Sequence, residues 1–221
     1  MKVSVILPIY NVSNYVQRCL RSLLNQDLSD VEYIIVDDCS QDNSMDVVYD
    51  CISAFPDRKA DIKIIRHETN KGLPQARNTG LSLATGEFIY HCDSDDYLEE
   101  NMLRVLYETA VHNRADFVWC DYYLTYANRE RKISQYVDSS VEEALGATLR
   151  GYLKYNVWNK LVRRDLYEKN KISFPSGHSM GEDMTMILLL ACAHKIKYVE
   201  QSLYHYVKNN QSAMTQCISV K

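Results

Sequence analysis

Three carboxylates in four residues are the first candidates for chemistry: Asp93, Asp95 and Asp96 in the run His91-Cys92-Asp93-Ser94-Asp95-Asp96. The run follows a strand-like stretch, Glu87-Phe88-Ile89-Tyr90, and precedes a helical pattern that starts near Glu99. Acids this close repel one another unless something positive sits among them. In an extended segment residues i and i+2 face the same way, which would point Asp93 and Asp95 at one ion. Oxygen-only ligands favour a hard cation such as Mg²⁺ or Mn²⁺. The competing reading is a solvated acidic turn. Asp96-x-x-Glu99 has the form of a capping box, which makes Asp96 a helix cap.

The elements that must position these acids follow from hydrophobic periodicity. Val3 to Pro8 and Val31 to Val36 are apolar runs with no polar face, the pattern of strands buried on both sides of a parallel sheet. Val16, Cys19, Leu20, Leu23 and Leu24 recur at helical spacing between them. A second helix over Met45 to Phe55, a strand at Ile62 to Ile65, a helix over Gly72 to Ala84 and a strand at Phe88 to Cys92 complete a β-α-β-α-β-α-β alternation. Ligands of such sheets sit beyond the carboxyl ends of the strands. Asp37-Asp38 and Asp93-Ser94-Asp95 both lie at such ends, so two acidic turns can meet in one crevice.

After residue 98 the rhythm changes. A helix is expected around Met102 to Ala110, a strand at Phe117 to Cys120, and a charged solvated turn over Asn128 to Lys132. Ser140-x-x-Glu143 forms a capping box for a helix to about Leu153. Val157 to Val162 reads as a strand, Gly181-Glu182-Asp183 opens an apolar helix through Ala193, and Ile196 to Val199 and Leu203 to Tyr206 close the chain as two short strands. No interdomain linker interrupts this order. We expect one α/β domain over 1–221, the second half an elaboration of the first.

Bulk properties exclude several classes. The 221 residues carry 25 Lys and Arg against 29 Asp and Glu, a net charge of −4 that argues against a nucleic-acid partner. Seven scattered cysteines form no C-x-x-C pair, which points to reduced thiols rather than a disulfide framework or zinc site. The longest apolar run, Met186 to Ala193, is too short to span a bilayer. A peripheral membrane role stays compatible with this. The glycine-rich loop of a dinucleotide oxidoreductase is missing after the first strand, where Pro8-Ile9-Tyr10-Asn11 stands instead.

Several segments together resemble the family 2 glycosyltransferases of GT-A fold. They are Val3 to Asn11, Ile35-Val36-Asp37-Asp38-Cys39-Ser40, Asn70 to Gly80, Asp93-Ser94-Asp95-Asp96, Trp158-Asn159-Lys160 and Gly181-Glu182-Asp183. They occur in the family's order and span residues 3 to about 215. Cys39 departs from the family, which usually has Gly there. The resemblance implies an α/β fold of GT-A type, a mainly parallel nucleotide-binding sheet flanked by helices, with an acceptor-binding C-terminal elaboration. It also implies a nucleotide-sugar-binding half over 1–98, an acceptor-binding half over 99–221, and roles for single residues. Pro8 and Tyr10 flank the nucleobase, and Asp38, supported by Asp37, accepts from a uracil ring N–H. Arg77 lies near the base and diphosphate, and Ser94 belongs with the donor contacts. Asp93 touches the ribose or a metal-bound water, and Asp95 ligates Mn²⁺ or Mg²⁺. Trp158, Asn159 and Lys160 line the acceptor side with Glu182, and Asp183 is the catalytic base.

The implied reaction is inverting transfer of a sugar from a nucleotide diphosphate, with UDP favoured, to a hydroxyl of a saccharide or lipid-linked acceptor. By analogy it serves polysaccharide synthesis in the cytoplasm, at the inner membrane face. A catalytically inactive nucleotide-sugar-binding relative is the alternative. Each role has a plainer reading: Tyr10 packing at a strand edge, Lys160 in a structural ion pair, Glu182 and Asp183 complementing a helix dipole.

Overall fold

A computed structural model describes residues 1–137, 140–175 and 181–208. The segment beyond 208, the end of the family resemblance and Cys217 with it, lies outside the described residues. One mixed sheet runs through both halves of the chain. Strands β1 (Val3–Ile9), β2 (Val31–Asp37), β3 (Ile62–Arg66) and β4 (Phe88–His91) are parallel, in the order β3-β2-β1-β4. β5 (Tyr97–Leu98), β6 (Phe117–Tyr126), β7 (Arg129–Ile133), β8 (Lys160–Arg163) and β9 (Ile196–Val207) extend it. β8 runs antiparallel between β4 and β6, β9 follows β6 in parallel, and β5 closes the edge.

Two helical layers cover the sheet because its central strands are apolar on both faces. All seven residues of β1 and of β2 are buried. Val3, Val5, Leu7 and Ile9 of β1 face one layer, formed by α1 (Val16–Leu24), α2 (Ser44–Ser53) and α4 (Met102–Asn113). Ile6 faces the other, where α5 (Val141–Leu149), α6 (Arg164–Asn170) and α7 (Glu182–Cys192) pack. This is the period-two division of a pleated strand. The α1 stripe read from the sequence is the buried face of that helix.

The helix α3 (Leu73–Leu83) lies on the α5–α7 side and sits unusually close to β1. A Cβ on Gly80 would come within 2.4 Å of Ile6 Cγ2. Only glycine permits that approach, which fixes the depth at which α3 presents Arg77. Gly72, at φ 83°, opens the helix, with Pro74 in its first turn.

Several expectations need correction. The charged run 128–132 is largely a strand: β7 pairs with β6 as an exposed edge, because its partner supplies hydrogen bonds that the polar side chains do not contest. The two closing strands are one, β9, with a register shift opposite Cys120 and Asp121. The turn Val157 to Asn159 precedes β8 rather than joining it, and α6 and β5 carried no periodic signal. The Ser140 cap is as expected, its hydroxyl accepting from Glu143 N–H at 3.1 Å, but the helix it opens ends at Leu149.

The Gly80 contact yields a test. Gly80→Ala gains about 1 kcal/mol of helix propensity but overpacks Ile6, so urea denaturation should show a net loss of roughly 1–2 kcal/mol. In an Ile6→Ala background the same substitution should cost nothing further.

Candidate active site

The site is built at the carboxyl end of the parallel strands, around β1. Asp37 ends β2, and Asp38 N–H donates to Ile9 carbonyl at 2.9 Å. The acidic turn follows β4 on the other side of β1, where Cys92 N–H donates to Ile6 carbonyl at 3.0 Å. The two acidic segments therefore flank one strand end, as expected from the alternation of elements.

Residues Asp93 to Asp96 are not extended. The chain turns, with Asp96 N–H reaching Asp93 carbonyl at 3.3 Å. Each carboxylate consequently meets a different environment. Asp93 accepts from Arg77 Nη2 at 2.6 Å. Asp95 has no cation on its carboxylate; burial first, and then the charge of Asp93, push its pKa up to about 6. Asp96 points inward and is fully buried, accepting from Tyr204 Oη at 2.8 Å and Val207 N–H at 2.7 Å. Burial and its two acidic neighbours push its pKa well up. It is not the expected helix cap: α4 begins only at Met102, and the Asp96 partners belong to β9. Ser94 is buried in the turn.

Arg77 joins the two ends of the site. Its side chain is wholly buried, 0% exposed, between Asp93 and Glu182, and its Nη1 donates to Glu182 Oε1. The guanidinium also lies 5.5 Å from the Phe174 ring centroid. Glu182 and Asp183 are the first two residues of α7. Glu182 is thus tied, through Arg77, to the acidic turn rather than standing free as expected for an acceptor contact. Asp183 is exposed, and its carboxylate accepts from Met184 N–H at 2.8 Å.

The residues expected to meet a nucleobase are more engaged within the protein than that expectation requires. Asp38 is buried and takes three protein donors: His67 Nδ1 at 2.6 Å, Lys71 N–H at 2.8 Å and Gly72 N–H at 2.8 Å. Because Asp38 accepts, His67 carries its proton on Nδ1, and Nε2 takes the Thr79 hydroxyl at 2.9 Å. Asp37 caps Ser40 N–H at 2.8 Å and pairs with Arg66 at 3.2 Å. Pro8 is buried within β1, whereas Tyr10 is 46% exposed just beyond it. Cys39 has φ 65°, the left-handed region, which explains why glycine is usual there.

Trp158, Asn159 and Lys160 do not line a cleft among the described residues. Trp158 is stacked on Tyr204 at 4.3 Å and Tyr206 at 5.4 Å. Asn159 Nδ2 donates to Cys120 carbonyl at 2.5 Å, and its own carbonyl takes Cys120 N–H at 3.1 Å. Lys160 Nζ donates to Asn156 carbonyl at 2.5 Å and Asn159 Oδ1 at 2.8 Å, and its burial lowers its pKa to about 7. The trio latches β8 to β6 and β9, and the expected acceptor role does not fit that burial.

Two histidines escaped sequence reasoning. His67 follows β3, and its position at a strand's carboxyl end was the available signal. His91 ends β4, buried edge-on against Phe174 and Tyr167; burial first, then Arg77, depress its pKa well below the usual range. Both His91 ring nitrogens, Arg77 Nε and the Tyr167 hydroxyl are buried without hydrogen-bond partners among the described residues.

The donor set fits a divalent cation in a particular way. Among the described residues no group of three or more His, Cys, Asp or Glu converges on a point. Asp95 and the second oxygen of Asp93 are available. That suits a hard cation held by one or two carboxylates and completed by ligand phosphates and water. Burial, and after it the charge of Asp93, raises the Asp95 pKa, and a bound cation would relieve both.

Two tests follow. Protons compete with a cation for Asp95, so divalent-cation affinity should fall about tenfold per pH unit below about pH 6, and Asp95→Asn should abolish that dependence. The linkage sign is opposite to that of a salt-bridged acid. The folded pKa is raised from 3.8 to about 6, so without metal the Asp95 contribution favours the fold below about pH 4 and fades as pH rises through 6. Separately, Arg77→Met leaves Asp93 and Glu182 without their shared cation and should cost about 3 kcal/mol in urea denaturation, with Glu182→Gln restoring part of it.

Comparison with known proteins shows the family and the fold. The chain is 33% identical over 219 residues to an uncharacterized glycosyltransferase, EpsJ, of Bacillus subtilis, covering 95% of this chain and 62% of EpsJ. It is 32% identical to glycosyltransferase GlyG of Streptococcus pneumoniae, covering 96% of this chain and 72% of GlyG. The structure of Staphylococcus aureus TarS 1-349 in complex with UDP-GlcNAc superposes with a TM-score of 0.81 at 26% identity, over 97% of this chain and 61% of that one. The expected GT-A architecture is therefore present. Residues 4–184 match Glycosyl transferase family 2, the family to which this chain belongs.

Proposed function

We propose that the chain transfers a sugar from a UDP-sugar to a hydroxyl of a saccharide or lipid-linked acceptor, with inversion, in polysaccharide synthesis. One observation carries the reading: the buried Arg77 ties the donor turn, through Asp93, to Glu182, the neighbour of Asp183. A donor-binding acid and a solvent-facing base are thereby held as one unit. The likeness to TarS, crystallised with UDP and with UDP-GlcNAc, supports a uridine donor.

In this reading Asp95, with Asp93, holds Mn²⁺ or Mg²⁺. Such an ion, when bound, stabilises the charge that develops on the leaving diphosphate. The chain's own residues do the rest. Asp183 takes the proton of the attacking hydroxyl. It is free to do so because its environment at the start of α7 is open. Direct displacement from the opposite face turns an α-linked donor into a β-linked product. Tyr10, exposed at the end of β1, offers a flat face for the base, with Pro8 beneath it in the strand. Asp38 has about four acceptor sites, three of them used internally. The one left is for the uracil N–H, and Asp37 braces the same turn.

Among the described residues no helix is long and apolar enough to cross a membrane.

Two measurements test the proposal. Asp183→Asn should abolish transfer from UDP-sugars while leaving UDP affinity within about twofold; retained turnover removes Asp183 from the mechanism. In thermal shift, UDP with Mn²⁺ should raise Tm, and CDP, whose ring nitrogen accepts rather than donates, should not. Equal stabilisation by both would overturn the role given to Asp38.

A further inference from the structure

Arg18, Arg129 and Lys208 line a cavity that does not include Arg77, Asp93, Glu182 or Asp183. On the α1 side of the sheet a cavity of about 580 Å³ is lined by Arg18, Tyr97, Tyr126, Arg129, Glu130 and Lys208, among others. Arg77 and Glu182 approach the turn from the opposite layer, through α3 and α7. Arg18 Nη2 donates to Asp95 carbonyl at 3.0 Å, which places the cavity directly behind the turn.

The charge in this cavity is unbalanced. Among the described residues Arg18, Arg129 and Lys208 have no carboxylate within ion-pair distance, unlike Arg77, Arg104, Arg163 and Arg164. The one carboxylate of the lining, Glu130, is exposed but already engaged. It accepts from Thr125 Oγ1 at 2.8 Å and Tyr97 Oη at 3.2 Å, and lies 2.9 Å from His205 Nδ1. The cations are instead held by aromatic rings: Arg18 over Tyr97 at 4.6 Å, Arg129 over Tyr126 at 4.8 Å and Lys208 over Tyr206 at 4.5 Å. Ring stacking orients a guanidinium without using its N–H groups, and Arg18 spends one of its own on the Asp95 carbonyl, leaving the others for a ligand. Two guanidinium forks and an ammonium facing one cavity, in a chain of net charge −4, form a local positive field.

We propose that this cavity is a second, donor-independent binding site for a phosphate-bearing ligand, a phosphomonoester or phosphodiester of an alcohol. Phosphate oxygens match the guanidinium forks in pairs. Tyr97 and Tyr126 hold the two guanidiniums in place for the phosphate. The volume, about 580 Å³, is that of a small-ligand pocket. The phosphate has two sources, a soluble phosphoester or a lipid headgroup.

The test uses the whole chain in EDTA, which silences metal-dependent donor binding. Glycerol 3-phosphate is titrated by calorimetry, and phosphatidylglycerol vesicles are tested by co-sedimentation against phosphatidylcholine vesicles. The unmodified chain should bind at least one probe saturably. Arg129→Gln/Lys208→Gln, two exposed positions, should bind it at least about tenfold more weakly, the loss of one or two charged contacts. Its Tm and its UDP–Mn²⁺ affinity should be unchanged. Binding of glycerol 3-phosphate assigns a soluble phosphoester, and binding of vesicles alone assigns a lipid headgroup. No saturable binding to either, or binding that the double substitution leaves intact, overturns the site. Because UDP is measured separately, failure of the donor reading would leave this result standing.

Discussion

A buried guanidinium with no solvent around it is tolerable only if negative charge is brought to it. Arg77 is 0% exposed, so the fold must supply its counter-ions, and it draws them from segments 16 and 105 residues away in sequence. That requirement couples the parallel nucleotide-binding layer to the helix α7 of the second half. Gly80 is part of the same arrangement, since α3 can carry Arg77 to this depth only where a side chain is lacking against Ile6. The acids at the site are therefore not equivalent members of a cluster. Asp93 neutralises Arg77 from the turn after β4 and Glu182 from the start of α7, while among the described residues the Asp95 and Asp183 carboxylates pair with no cation.

The remaining acids illustrate how environment divides labour among identical side chains. Asp38 is satisfied by three donors and holds the loop at Lys71 and Gly72 against the end of β2. Asp96 is buried with a tyrosine hydroxyl and a backbone amide of β9, and so anchors the turn to the far edge of the sheet. Asp95, between these, has neither cation nor full solvation, and its raised pKa follows. Trp158, Asn159 and Lys160 serve the same anchoring purpose from the other side. The stacking of Trp158 on Tyr204 and the paired hydrogen bonds of Asn159 with Cys120 close β8 onto β6 and β9. Their polarity satisfies backbone groups in a buried seam, where an unmet partner costs about 1–3 kcal/mol.

Much was settled by sequence alone. The apolar runs at Val3 and Val31 could only be strands covered on both faces, and the stripe from Val16 to Leu24 could only be one side of a helix, because burial acts locally on period. The alternation of those elements placed Asp37-Asp38 and Asp93-Ser94-Asp95 at one end of one sheet before any coordinate was known. Tertiary structure decided the rest. Whether Asp96 caps a helix or anchors β9, whether Glu182 meets acceptor or Arg77, and whether Lys160 faces a cleft or a carbonyl depend on partners up to 111 residues distant. A charged side chain is directed by the nearest complementary group in space, and local sequence carries no record of where the chain will bring that group.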